Sequence, residues 1–250
     1  MRIKIYSFFK RIFDIFCSLL AIIVLGIPML IVAIAIKIDS KGPVLFKQDR
    51  VGKNKKIFKI WKFRSMFTNT DPNAPTHELG NATSHITKVG KFIRKTSIDE
   101  LPQLFNILKG EMSFIGPRPW ILDYAKYFTK HQMRRLEVLP GITGLAQCSG
   151  RNNLGIIERI DIDVEYVENM SLFLDIYIVL KTIKSVLKKE GFSNSKSAIH
   201  EELNILKNQN KTPNRKKNKK HNDKINQKVQ YLKNKSNDNI DDKVLVGSGV

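Results

Sequence analysis

Cysteine is almost missing from this 250-residue sequence, which holds only Cys17 and Cys148. That excludes a disulfide scaffold and leaves too few thiolates for a cysteine-built zinc site. Acidic side chains are also scarce: 23 Asp and Glu face 43 Lys and Arg, a formal net charge of +20. Such a balance points to an anionic partner, whether nucleic acid, a phosphorylated small molecule or an anionic membrane. Aromatic residues are sparse where a nucleic-acid platform would need them, since Tyr231 is the only one after Phe192. Apolar residues are not lacking. At 42% of the chain they exclude disorder throughout, and the length suits one domain with appendages.

The chain divides into residues 1–37, 38–191 and 192–250. In the first region no charged residue occurs from Ile15 to Ile36, a run that would be about 33 Å long as a helix. It is too long for the core of a cleaved signal, and Lys37, Ile38 and Asp39 follow it in place of a small-residue cleavage site. Gly26 and Pro28 interrupt it, and Pro28 removes a helix hydrogen bond. Lys10 and Arg11 precede the run, while Lys37, Lys41, Lys47, Arg50 and Lys53 follow it. Positive charge at both ends favours the same membrane face for both. The pattern predicts a re-entrant helical hairpin hinged at Pro28, with a single kinked transmembrane helix as the alternative.

The second region reads as a compact body. Val44–Phe46 and Ile57–Phe63 are expected as strands, and residues 68 to 85, with Pro72, Pro75 and Gly80, as a loop. Helices are expected over 99–109, 121–138, 156–169 and 171–189. The first of these starts a few residues before Pro102 and stops at Gly110. In the last, Leu172, Phe173, Ile176, Val179, Leu180, Ile183 and Leu187 share one side. That pattern suits a membrane-surface helix and equally a helix facing a core. The third region carries 13 basic and 6 acidic residues with much Asn, a composition expected to be largely disordered. Its last residues, Lys243–Val250, read as a short strand before Gly-Ser-Gly, a fragment too small to identify a nucleotide fold.

Asp99 and Glu100 stand at an expected helix start, where free N–H groups hold carboxylates ionised and bind phosphate. Acidic residues are common there for dipole reasons alone. Three rigid turns add weight: Gly116-Pro117-Arg118-Pro119, Pro140-Gly141-Ile142-Thr143-Gly144 and Ser149-Gly150-Arg151-Asn152. Two of them present a guanidinium, the group suited to clamping phosphate at several points.

Together these segments resemble the bacterial sugar transferase family, the monotopic polyprenyl-phosphate phosphoglycosyl transferases of the small catalytic-unit type. The resemblance rests on ordered blocks from residue 10 to about 190. They are Lys10-Arg11-Ile12-Phe13-Asp14, Gly42-Pro43-Val44-Leu45-Phe46-Lys47-Gln48 and Phe58-Lys59-Ile60-Trp61-Lys62-Phe63-Arg64-Ser65-Met66. Ser97-Ile98-Asp99-Glu100-Leu101-Pro102-Gln103, Met112-Ser113-Phe114-Ile115-Gly116-Pro117-Arg118-Pro119, Pro140-Gly141-Ile142-Thr143-Gly144 and Gly150-Arg151-Asn152 follow. It implies an α+β, mainly helical protein: a re-entrant membrane hairpin, a catalytic domain on the cytoplasmic face of the bacterial membrane, and amphipathic interfacial helices. It further implies transfer of a sugar 1-phosphate from a nucleotide sugar, usually a UDP-sugar, to a polyprenyl phosphate, with Mg2+. Asp99 would be the nucleophile and form a phosphosugar intermediate. Glu100 would be the second carboxylate, and both would hold the metal. Arg94, Arg118 and Arg151, with Lys62 and Arg64, would bind phosphate or nucleotide. One departure stands out: family members often carry Ser before the hinge proline, where this chain has Ile27. A non-enzymatic, membrane-anchored nucleic-acid binder is the competing reading, resting on charge and tail alone.

Overall fold

In the computed structural model, residues 2–68, 70, 84–149, 154–187 and 206–207 are described. Most of the expected loop at 68–85, the Gly150-Arg151-Asn152 turn and almost all of the third region lie outside the described residues. The architecture is mainly helical α+β. Helix α1 runs from Arg2 to Asp39 as one helix with Pro28 inside it. The two helices of the expected hairpin are therefore a single element, and Pro28 does not end it. The ring's lost hydrogen bond is tolerated within the long apolar segment.

One side of α1 is seated along its whole length. Tyr6, Lys10, Asp14, Ser18, Ala21, Leu25, Met29, Val32 and Ile36 recur every three or four residues and are half-buried or buried, as one helical face must be. Ala21, Ile22 and Leu25 pack on Phe58, Ile60, Leu104 and Ile107, while Met29, Val32 and Ala33 pack with Ile36, Phe63 and Ile93. The opposite side exposes Phe8, Phe9, Phe13, Phe16, Ile23, Ile27 and Ile31.

Strands β1 (Leu45–Val51) and β2 (Ile57–Phe63) form an antiparallel hairpin, with Leu45 opposite Phe63 and Val51 opposite Ile57. Helix α2 (Lys88–Lys95), a 3-10 turn (Ile98–Glu100) and α3 (Gln103–Lys109) follow. The helix expected to begin at Asp99 is thus split, and its α-helical part begins just past Pro102, which caps it. Gly110 ends α3 with φ of 84°, a backbone state natural to glycine. Strand β3 (Ser113–Ile115) pairs in parallel with β4 (Gly141–Thr143). Between them lie α4 (Leu122–Ala125), α5 (Lys130–Met133) and a 3-10 turn (Arg134–Glu137). The single helix expected over 121–138 is broken because Thr129 restarts the chain with a capping box to Gln132.

Helix α6 (Leu145–Ser149) leads to α7 (Ile156–Asn169) and α8 (Leu172–Leu187), close to their expected bounds. Helix α8 is turned with its apolar side outward. Leu172, Phe173, Ile176, Val179, Leu180 and Ile183 are all exposed, Phe173 by 85%, while Asp175, Ile178 and Ser185 are buried. Of the two expected roles, the core-facing one is therefore not the one observed. Leu206, which falls in the expected tail, is fully buried among Val51, Tyr124, Phe128 and Ile160.

Candidate active site

The short stretch between α2 and α3 carries the two carboxylates. Ser97 adopts a left-handed conformation, φ 59°, which an ordinary side chain seldom occupies. It reverses the chain after α2, so that Asp99 and Glu100 follow the last turn of that helix, which carries Arg94. Strand β2 contributes Lys62. The fully buried Asn106 of α3 accepts from the Trp61 amide at 3.0 Å and donates to the Lys59 carbonyl at 2.8 Å. That clip fixes the strand against α3 one residue before Lys62.

The Pro117-Arg118-Pro119 turn is held from both sides. The amide of Gly116 donates to the Thr143 carbonyl at 2.9 Å, and that of Gly141 to the Pro117 carbonyl at 3.0 Å. A Cβ on Gly141 would lie 2.1 Å from the Gly116 nitrogen, and one on Gly144 would lie 2.2 Å from the Gly116 oxygen. Only bare backbone fits there. Arg135, 2% exposed, donates to the Arg118 carbonyl at 2.7 Å and forms a buried pair with Asp163 at 2.5 Å. Its guanidinium also lies over the rings of Trp120 and Phe128.

These elements converge on Glu100. Its Oε1 accepts from Lys62 Nζ at 2.6 Å and from Arg118 Nη2 at 3.0 Å. Burial alone would raise its pKa, but Arg118 and Lys62 outweigh that and hold it well below the usual carboxylate range. Arg118, facing Glu100, is pushed up in turn. Asp99 goes the other way. Desolvation pushes its carboxyl up, aided by the Glu100 charge and opposed by Lys62, Arg94 and Arg118. The expectation that both carboxylates are held ionised by a helix start thus applies to Glu100, through cations and not the dipole. It is reversed in direction for Asp99. Asp99 is half-buried and makes no hydrogen bond among the described residues.

Lys62, Arg94 and Arg118 are therefore brought to the carboxylates. Arg64 is engaged elsewhere: its two terminal nitrogens each donate at 2.7 Å, to the Lys41 and Ser40 carbonyls, which fastens the end of α1 to β2. Arg151 lies outside the described residues. Sequence reasoning missed Arg50, which read as flanking charge. It donates to the Pro119 carbonyl at 3.3 Å and to Gln48, and its pKa is lowered to about 10 by burial and by Arg118. Arg135 and Asp163 were missed as well, because no local pattern links two residues on separate elements.

Among the described residues no cluster of three or more His, Cys, Asp or Glu side chains is placed to hold a metal. A Mg2+ ion needs fewer, since it takes one or two carboxylates and completes its shell with water and substrate phosphates. Both cations sit on Oε1 of Glu100, which leaves Oε2 and the Asp99 carboxylate as a fitting donor pair.

The chain is similar to known proteins over most of its length. The family model described as bacterial sugar transferase matches residues 5–189. The chain is 41% identical over 186 residues to the uncharacterized sugar transferase EpsL of Bacillus subtilis, covering 74% of this chain and 91% of that one. It is 42% identical over 199 residues to the undecaprenyl-phosphate galactose phosphotransferase of Salmonella typhimurium, covering 74% of this chain and 41% of the relative. It is 41% identical over 193 residues to the UDP-glucose:undecaprenyl-phosphate glucose-1-phosphate transferase of Klebsiella pneumoniae, again spanning 74% and 41%. The chain thus spans about four tenths of the length of these two enzymes and nine tenths of the Bacillus protein. On the match over most of its length, this chain belongs to the bacterial sugar transferase family.

Proposed function

We propose that the protein transfers a sugar 1-phosphate from a nucleotide sugar, a UDP-sugar in the simplest case, to a polyprenyl phosphate, through a covalent intermediate on Asp99. The observation that carries this reading is the asymmetry of the two carboxylates. Glu100 is neutralised by Lys62 and Arg118, whereas Asp99 is desolvated and bonded to nothing among the described residues. A desolvated carboxylate beside several cations is suited to attack phosphorus. Relatives named as undecaprenyl-phosphate sugar phosphotransferases support the reaction class.

An Asp99 oxygen attacks the sugar-bearing phosphorus. The bond from that phosphorus to the bridging oxygen breaks, and the nucleoside monophosphate leaves with the electron pair. An oxygen of the polyprenyl phosphate then attacks the same phosphorus, releasing Asp99 and forming the diphosphate-linked sugar. Arg118, Lys62 and Arg94 neutralise the phosphate oxygens as charge shifts to the leaving group, with Arg151 and Arg50 as further cations for the nucleotide. Mg2+, held by Asp99 and Glu100 Oε2, would supply Lewis-acid charge neutralisation at the diphosphate.

The membrane reading follows from how α1 is fastened. Near its start, Tyr6 and Lys10 bond Asp175 of α8. At its end, Asp39 accepts from the Val89 amide at 2.9 Å. Both ends of the helix are thus tied to the same body, which supports a helix whose two ends stay on one face of a bilayer. We infer that it enters one leaflet only, with the catalytic body at the cytoplasmic headgroups. The outward apolar side of α8 adds a second lipid-facing surface. Incubation with a labelled donor and no acceptor, followed by peptide mass spectrometry, is expected to find the phosphosugar on Asp99. Asp99→Asn is expected to form no adduct and to lose at least about a thousandfold in turnover. An adduct on another residue, or turnover retained in that variant, overturns the mechanism.

A further inference from the structure

The turn that presents Arg118 is gripped at four successive carbonyls, each time by a group outside it. The Pro117 carbonyl accepts from the Gly141 amide at 3.0 Å, and that of Arg118 from Arg135 Nη2 at 2.7 Å. The Pro119 carbonyl accepts from Arg50 Nη1 at 3.3 Å, and that of Trp120 from the Val51 amide at 3.1 Å. Two prolines leave the turn short of amide donors of its own, so its course is set from outside. The side chain it carries is less constrained. Arg118 is half-exposed there, and among the described residues its guanidinium makes one hydrogen bond, to Glu100. Where that guanidinium stands therefore depends on where the backbone at residue 118 stands.

Of the two arginines that grip the turn, Arg135 is the buried one. It stands on the 3-10 turn after α5, and its Nε and Nη2 both donate to Oδ2 of Asp163 on α7, at 3.1 and 2.5 Å. A buried ion pair adds little stability over apolar side chains of similar volume, because both charges are stripped of water. What an apolar pair lacks is the donor. Asp163 holds the guanidinium fork, and Nη2 also serves the Arg118 carbonyl. We propose that Arg135, oriented by Asp163, is a positioning residue for the transfer reaction. It fixes the backbone of Arg118 so that the Arg118 guanidinium meets both Glu100 and the phosphate, a role that rests on the reading of Arg118 as a cation for that phosphate.

The test assays nucleoside monophosphate release by the full chain in detergent, with undecaprenyl phosphate and the UDP-sugar that the wild type turns over. Arg135→Met with Asp163→Leu removes the pair together. This double variant is expected to stay folded at the assay temperature yet to lose at least about tenfold in kcat, the cost of a small misplacement. Arg118→Gln is expected to lose at least as much. In the Arg118→Gln background the same double replacement is expected to change kcat less than about twofold, because residues acting through one group do not add. Arg135→Lys keeps a cation beside Asp163 but has no planar fork to serve the carbonyl as well. It carries the same two expectations and decides the matter should the double variant melt below the assay temperature. Arg134→Gln removes exposed pairs with Glu137 and Glu168 one residue earlier, and is expected to stay within about twofold of wild type. Wild-type kcat in the folded variants, or a full further loss in the Arg118→Gln background, overturns the positioning role and leaves Arg118 in the site. Full turnover by Arg118→Gln removes the reading of Arg118 itself, and the positioning role with it.

Discussion

Adjacent carboxylates with opposite shifts are the central fact at the scale of single residues. Asp99 keeps its proton to higher pH than an ordinary aspartate, because desolvation outweighs the cations around it. As the nucleophile it must be ionised, so kcat/KM is expected to rise with pH along a limb lying above the usual aspartate range. Arg94 lowers that pKa; Arg94→Gln therefore moves the limb to higher pH, and a pH profile on which it stays put would remove Arg94 from the site. A second prediction concerns Arg135. Arg135→Ala leaves Asp163 buried without its cation and is expected to cost about 3–5 kcal/mol, whereas replacing both members by Met and Leu costs much less. Thermal melts of the single and double variants decide it. The sequence made Asp99, Glu100 and Arg118 visible, because their neighbours form recognisable blocks. It hid Arg50, Arg135 and Asp163, because their meaning lies in partners on other elements. The block that contains Arg64 was equally visible, but not that its guanidinium bonds the Ser40 and Lys41 carbonyls.

Elements were legible where a local period decided them. The bounds of β2 and α7 coincide with expectation, since alternation and helical spacing are local properties. The stretch 121–138 failed because a side-chain cap at Thr129 overrode helical spacing. For α8 the periodicity located the apolar side, but period alone does not say which side faces the body. Burial of Asp175 against Tyr6, Lys10 and Tyr166 turned the helix over. The β3–β4 pair carries the clearest element-scale prediction. Gly141→Ala sets a methyl 2.1 Å from the Gly116 nitrogen, so the strands must part and the Arg118 turn must shift. A loss of about 3 kcal/mol or more is expected, together with a fall in kcat. A variant with wild-type stability and rate would show that the turn does not depend on this contact. For α1, single cysteines near residues 4 and 45 are expected to label from the same membrane face, and labelling from opposite faces would establish a span.

Across the whole molecule, composition conveyed the divide between an apolar-rich body and a basic, Asn-rich tail, but not where one yields to the other. Charge and aromatic content change gradually after residue 191, and one described side chain beyond it still packs with the body. Leu206 closes the cluster formed by Val51, Tyr124, Phe128, Leu136, Ile156 and Ile160. A chain ending at Lys207 keeps that plug, and a chain ending at Gly191 removes it and uncovers the cluster beside the elements that carry Arg50 and the Arg118 turn. The first truncation is expected to melt as the full chain does and to turn over a nucleotide sugar at a similar rate. The second is expected to lose about 2–5 kcal/mol, the range for emptying a buried Leu site, and Leu206→Ala in the full chain to lose a comparable amount. Were all three to melt alike, Leu206 would be a passenger on the surface of the body.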